Sequence, residues 1–213
     1  MEGIYQSAIE RLKEEIKKQL PEIEANGEWL WHHPETGFKE IETQKHCLEI
    51  LKKHGFEAVT WDDVTGFTCT YDTKKPGPCI AIMGEMDSLI CYTHPDSNSE
   101  TGAAHACGHS VQVASAMGAF FALVESKVID DFGGKVMLVG VPAEECLETE
   151  WRMQEIKKGR LHFLGGKAEL LCRGAFEGVD VVLSMHAGFR NDGTISIVGS
   201  HKGFTSKNVT FKG

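Results

Sequence analysis

Cys107 and His109 stand two residues apart in His105-Ala106-Cys107-Gly108-His109-Ser110, with glycine between them. Residues 111–124 follow as an apolar stretch long enough for a buried helix, and residues 93–102 precede them as a polar loop. The thiol and the imidazole therefore fall where a loop feeds a helix N-terminus. Free backbone N–H groups and the positive end of the helix dipole favour a thiolate there. A thiolate and a neutral imidazole are the ligands that a borderline-soft cation prefers. On their own, a Cys and a His this close are more often packed core residues. What decides between the two readings is which other groups the fold brings to the same place.

Three continuous apolar runs supply that fold. Residues 79–84, 135–141 and 179–184 read as strands buried on both faces. Helical patterns lie between them, at 108–126 and at Gly166–Arg173, the latter with Gly174 as its stop signal. Strand, helix, strand, helix, strand is an α/β order: a mostly parallel sheet flanked by helices, joined by right-handed crossovers. In such sheets ligands bind beyond the carboxyl ends of the strands. Each run ends in ionisable residues there: Asp87 after the first, Glu144-Glu145 after the second, His186 after the third. The Cys107–His109 unit starts its helix at the same edge. A thiol, two histidines and three carboxylates gathered on one edge point to a metal site.

The remaining segments frame this unit. Apolar residues Ile4, Ala8, Leu12, Ile16, Leu20 and Ile23 predict an amphipathic helix over 4–24, bent or ended by Pro21. Residues 29–38 read as a compact aromatic turn, with His32 and His33 as surface or packed histidines, and a second helix is expected over 39–54 with Gly55 as its stop. Strands are expected over 57–61 and 66–71, a turn over 74–78, and a solvated charged segment over 146–160. Residues 193–198 and 207–211 alternate like half-exposed strands. They suggest a division into the metal-dependent domain, 1–198, and the opening of an incomplete second domain, 199–213.

Composition narrows the function. The 213 residues carry a net charge of −9, which argues against nucleic acid or an anionic membrane as a partner. No run has the length of a transmembrane helix. Charged residues from Arg11 to Lys18 interrupt the N-terminal apolar positions and leave no signal peptide. Seven cysteines, an odd number without framework spacing, read as reduced thiols of a cytoplasmic protein.

Neighbouring side chains in extended backbone point opposite ways, so Glu144 and Glu145 do different jobs. One ligates the metal and the other faces substrate as a general base. A metal-activated, hydroxide-like water and a carboxylate that passes its proton to a leaving amine make up amide hydrolysis without a covalent intermediate. The Pro-Cys-x-x-Cys of zinc deaminases, the Gly-x-Ser-x-Gly elbow and the phosphate- and dinucleotide-binding fingerprints are absent in the contexts that they need. Cys107 and His109 as a nucleophile pair fit poorly, because side chains two residues apart at a helix start diverge.

Trp31-His32-His33-Pro34-Glu35-Thr36-Gly37-Phe38, Gly84-Glu85-Met86-Asp87-Ser88-Leu89, His105-Ala106-Cys107-Gly108-His109, Pro142-Ala143-Glu144-Glu145 and Met185-His186-Ala187-Gly188 occur in that order. Together they resemble the amidohydrolase branch of the aminoacylase/carboxypeptidase metallopeptidases, which includes hippurate, auxin-conjugate and aminobenzoyl-glutamate hydrolases. The resemblance implies a zinc-peptidase-like catalytic domain holding two divalent ions, manganese or zinc. By motif position it implies Cys107, His109, Glu145 and His186 as metal ligands, Glu144 as general base, and Asp87 as support behind the ligands. Implied substrates are N-acyl or N-aroyl amino acids or small peptides. A lid domain beginning at 199–213 would carry a homodimer contact in a full-length form. Ser110 stands where many members have Asp, and Glu85 where Asp is common. The resemblance also implies members of roughly twice this length. The alternative is therefore a truncated, inactive relative acting only as a metal-binding or interaction module.

Overall fold

The computed structural model describes residues 2–188, together with positions 195 and 211. Apart from those two positions, the segments expected at 193–198 and 207–211 and the domain start expected at 199–213 lie outside the described residues.

The chain opens with a long helix, α1 (Glu2–His32), which carries Pro21 in its interior. Of the two outcomes expected at Pro21, a bend or an end, the end is excluded, and the turn expected over 29–38 is corrected: the helix runs on through Trp29-Leu30-Trp31-His32. Burial explains the difference. Ile23, Trp29 and Leu30 belong to the main apolar cluster, so packing outweighs the hydrogen bond lost at proline. His32 and His33 stay exposed as expected. His33 stacks on Trp29, and His32 lies 2.9 Å from Glu28. Helix α2 (Ile41–Lys53) follows. In the absence of a capping side chain at its own first residue, Glu35 caps it from a distance by accepting from the N–H groups of Glu42 and Thr43.

Strands β1 (Val59–Thr60), β2 (Phe67–Asp72) and β3 (Cys79–Glu85) come next. The loop expected before the Cys-Gly-His unit closes on itself through a short antiparallel pair, β4 (Leu89–Ile90) and β5 (Ala103–Ala104). Helix α3 (His109–Glu125) is buried on nearly every side, and a short α4 (Val128–Phe132) leads into β6 (Lys135–Val141). Helices α5 (Thr149–Lys157) and α6 (Gly166–Cys172) precede β7 (Val181–Ser184).

The five-stranded sheet has the order β1-β2-β6-β3-β7. Its site-bearing half, β6, β3 and β7, is parallel as expected, while β1 and β2 add antiparallel pairs on one side. Register aligns the tips: Glu85 pairs with Val141 and Met83 with Ser184, so all three parallel strands release their following residues at one edge. Strand β7 departs from its expected burial. It is the last described strand of the sheet, and its four residues are exposed.

Two glycines bring α3 close to the layers around it. A Cβ on Gly84 would stand 2.9 Å from the Val113 backbone, and one on Gly118 would stand 2.5 Å from Ile23. The absence of those side chains lets β3, α3 and α1 stack in contact. That contact sets the first residue of α3 beside the tip of β3. The segment 146–160, expected to be solvated, instead folds as α5 and buries Arg152 completely. The Arg152 guanidinium lies 5.3 Å from the Phe38 ring centre and donates to the Leu164 carbonyl at 2.7 Å. Burial lowers its pKa there, and the Asp87 charge opposes that shift.

Candidate metal centre

Helix α3 begins with His109, immediately after Gly108, whose φ of +91° is a backbone state that glycine adopts without strain. The Nδ1–H of His109 donates to the main-chain carbonyl of Asp87 at 2.8 Å, and an oxygen of the Asp87 carboxylate lies 3.3 Å away. This fixes Nδ1 as a donor and leaves Nε2 as the nitrogen that can face a cation. That Nε2 is buried and has no hydrogen-bond partner, although Glu85 Oε2 stands 3.1 Å and Glu144 Oε2 3.9 Å from it. His186 follows the same logic. Its Nδ1–H donates to the Ala187 carbonyl at 2.8 Å, and its Nε2 faces the Cys107 sulfur at 3.5 Å.

Two sets of three donors result, each with its ligand atoms within 4.8 Å of one another: Cys107, His109 and His186, and Glu85, His109 and Glu144. Three of the four expected ligands thus converge, and the expected base Glu144 joins the other set beside the same His109. Among the described residues no such set of three includes Glu145. Its carboxylate lies near the Cys107 thiol, and its N–H is held by Asp87 Oδ2 at 2.8 Å.

The second strand tip is shaped by a buried carboxylate. Glu40, with no exposed surface, accepts from the Ala143 N–H at 2.7 Å and from the Thr65 hydroxyl at 2.5 Å. Ala143 adopts φ +50°, unusual for a residue with a Cβ, and the turn it makes directs Glu144 and Glu145 off the end of β6. Burial and the nearby Asp87 charge push Glu40 up to about 8 despite these two bonds.

The electrostatics are those of a site with surplus negative charge. Burial would lower the His109 imidazole, but Asp87 and Glu85 overcome it and raise it to about 10, so a cation at Nε2 takes the place of a proton. Burial would raise Glu85, but His109 and Lys167 bring it down to about 2. Glu144 is raised by burial and then by Glu85. The Cys107 thiol is pushed up to about 12 by burial and by the carboxylates of Glu145, Glu144 and Glu85. Burial first, and then the three carboxylates, work against the thiolate that the helix start would favour. A thiolate at Cys107 requires a cation beside it.

The residues fit a divalent ion. A buried, unpartnered imidazole nitrogen, a second imidazole with its free nitrogen turned inward, a thiol and flanking carboxylates form an N/S/O donor set suited to zinc or a similar ion. Two groups at the site escaped the reading of motifs. Glu85 sits two residues before Asp87 at the end of a strand, and that spacing was its available signal. Lys167 ion-pairs with Glu85 and lies 3.5 Å from Glu144. Its approach comes from tertiary packing that no local pattern encodes.

No family model matches the chain. It is similar to an N-acyl-L-amino acid amidohydrolase of Geobacillus stearothermophilus, with 29% identity over 181 residues, 82% of this chain and 44% of that protein. It is similar to thermostable carboxypeptidase 2 of Saccharolobus solfataricus, with 30% identity over 185 residues, 84% of this chain and 42% of that protein. Its fold matches the crystal structure of a dinuclear metal-binding peptidase of the M20 family from Bacillus subtilis. The TM-score there is 0.63 at 25% identity, covering 81% of this chain and 44% of that one. The chain thus spans less than half the length of these relatives. Over the span that they share, the α/β frame and the motifs at its strand tips establish that the chain belongs to the aminoacylase/carboxypeptidase metallopeptidase family.

Proposed function

We propose that this chain forms the metal-binding part of an amidohydrolase that cleaves the amide bond of N-acyl or N-aroyl amino acids or small peptides. The observation that carries this reading is the convergence of Cys107, His109 and His186, with Glu144 3.9 Å from His109 Nε2. The names of relatives, an N-acyl-amino acid amidohydrolase and a carboxypeptidase among them, support the substrate class.

Cys107, His109, Glu145 and His186 would hold two divalent ions, zinc or manganese, the second of them beside the Glu85 and Glu144 oxygens that share His109. Bound there, the ions supply an activated water at neutral pH and polarise the scissile carbonyl. The protein's own groups do the rest. Asp87 orients His109 through its carbonyl and Glu145 through its carboxylate. Glu144, with a half-exposed carboxylate at the open side of the site, accepts the proton of the attacking water and returns it to the leaving amine. Residues 1–198 form the N-terminal part of the catalytic domain on this reading, and 199–213 open the lid through which a full-length form dimerises. Among the described residues no helix is long and apolar enough to cross a membrane.

The test combines metal analysis of the purified full chain with assays on N-acetyl and N-benzoyl amino acids. The reading expects bound divalent metal and turnover lost in Glu144→Gln and Cys107→Ala. Absence of bound metal, with turnover unchanged in both variants, contradicts it.

A further inference from the structure

The two donor sets that share His109 differ in kind. Cys107, His109 and His186 offer sulfur and nitrogen; Glu85 and Glu144 offer oxygen beside the same imidazole. Lys167 enters the second set. Its ammonium ion-pairs with Glu85 Oε1 and stands 3.5 Å from Glu144 Oε1. Among the described residues no Lys or Arg ion-pairs with a carboxylate of the first set's neighbour, Glu145.

Backbone packing delivers the lysine. A Cβ on Gly166 would lie 1.7 Å from the Pro142 carbonyl oxygen, and the Gly166 N–H donates to the Ala143 carbonyl at 3.0 Å. Helix α6 therefore starts directly against the turn that carries Glu144, and Lys167 is its next residue. Beyond Lys167 the helix is clamped by Glu169, which accepts from the N–H groups of His162 and Phe163 and from Arg173. The position of the Lys167 Cα is thus set by contacts on both sides. Its side chain is 43% exposed and keeps a route out to solvent.

We infer that Lys167 is a positioning residue: a tethered cation that occupies the carboxylate set in place of a divalent ion and orders the filling of the two sets. The inference rests on the metal-dependent reading above. An ammonium and a divalent ion between the same two carboxylates repel one another strongly at this separation. The sulfur–nitrogen set fills first. The carboxylate set accepts its ion only as the lysine, a point charge on a flexible stem, swings outward. In the absence of that second ion, Lys167 keeps Glu85 and Glu144 fixed relative to each other.

The test is a cobalt(II) titration of the full chain, stripped of metal by chelation. Calorimetry gives the stoichiometry, and thiolate-to-cobalt absorption in the near ultraviolet reports the Cys107 set separately. The wild type is expected to bind one equivalent with the thiolate band and a second about tenfold or more weaker. Lys167→Met, or Lys167→Gln should the first fold poorly, tightens the second equivalent about tenfold or more and leaves the thiolate-linked equivalent unchanged. Lys167→Arg, which keeps the charge, preserves the wild-type order. Two equal equivalents in the wild type, or a second equivalent no tighter in Lys167→Met, overturns the inference while leaving the metal-dependent reading intact. Failure of the wild type to bind cobalt at all overturns both.

Discussion

The Nδ1–H of His109 donates to the main-chain carbonyl of Asp87, 2.8 Å away, and this bond turns Nε2 toward Glu85, Glu144 and the space shared with Cys107 and His186. The Asp87 carboxylate extends the same control to Glu145 by accepting its N–H. One residue thereby orients groups on α3 and on the turn after β6. Replacing Asp87 with Ala keeps the carbonyl but removes the carboxylate. The expected outcome is a divalent-metal affinity lowered about 10–100-fold, with the fold retained, as read by competition with a chromophoric chelator.

Glu144 faces the open side of the site, and its pKa is raised by burial and by Glu85. Both features suit a group that takes up and gives back a proton. Glu144→Gln is expected to lower kcat on an N-acyl amino acid by about 10²–10⁴-fold while the thiolate-linked metal ion stays at the wild-type level. Loss of that thiolate-linked ion together with activity would assign Glu144 to its ligands instead.

Glu40 makes stability depend on pH in a definite sense. Its pKa rises from 4.5 in the unfolded chain to about 8 in the fold, burial being the main cause. The folded protein therefore binds the extra proton between those values. The contribution is fully present below 4.5 and is lost as pH climbs through about 8. Glu40→Gln keeps an acceptor for the Ala143 N–H but cannot ionise. Melting temperatures measured from about pH 5 to about pH 9 should fall for the wild type and change less for the variant. Parallel curves would show that Glu40 does not titrate in this range.

Gly166 tests the packing that carries α6 to the site. Ala at this position meets the Pro142 carbonyl at a distance that no real Cβ tolerates. Gly166→Ala should cost about 1–3 kcal/mol of stability in denaturant unfolding, because the α6 start must back away from the Glu144 turn. A neutral result would mean that the turn yields freely.

The parallel half of the sheet was legible because strands buried on both faces leave unbroken apolar runs, and β3 and β6 do so at 79–85 and 135–141. The site edge followed, since Asp87, Glu144-Glu145 and His186 each end such a run. Local patterns failed where tertiary contacts decide. Pro21 marks a stop in isolation, yet α1 continues because Leu30 and Trp29 have a core to join. Residues 146–160 look solvated by composition, yet Arg152 is buried near opposite charges from distant segments. Glu40 and Lys167 reach the site from α2 and α6, and neither approach has a sequence period. The balance at Cys107 has no local pattern for a related reason: the helix start is local, whereas burial and the carboxylates that oppose a thiolate come from the tertiary fold.

The most direct test of the central claim is anomalous diffraction from metal-loaded crystals of the full chain, collected on both sides of the zinc or manganese absorption edge. The account expects an anomalous peak at about 2.3 Å from the Cys107 sulfur and about 2.0–2.1 Å from Nε2 of His109 and of His186. An anomalous map with no peak among these three residues, or with the metal held elsewhere, would contradict it.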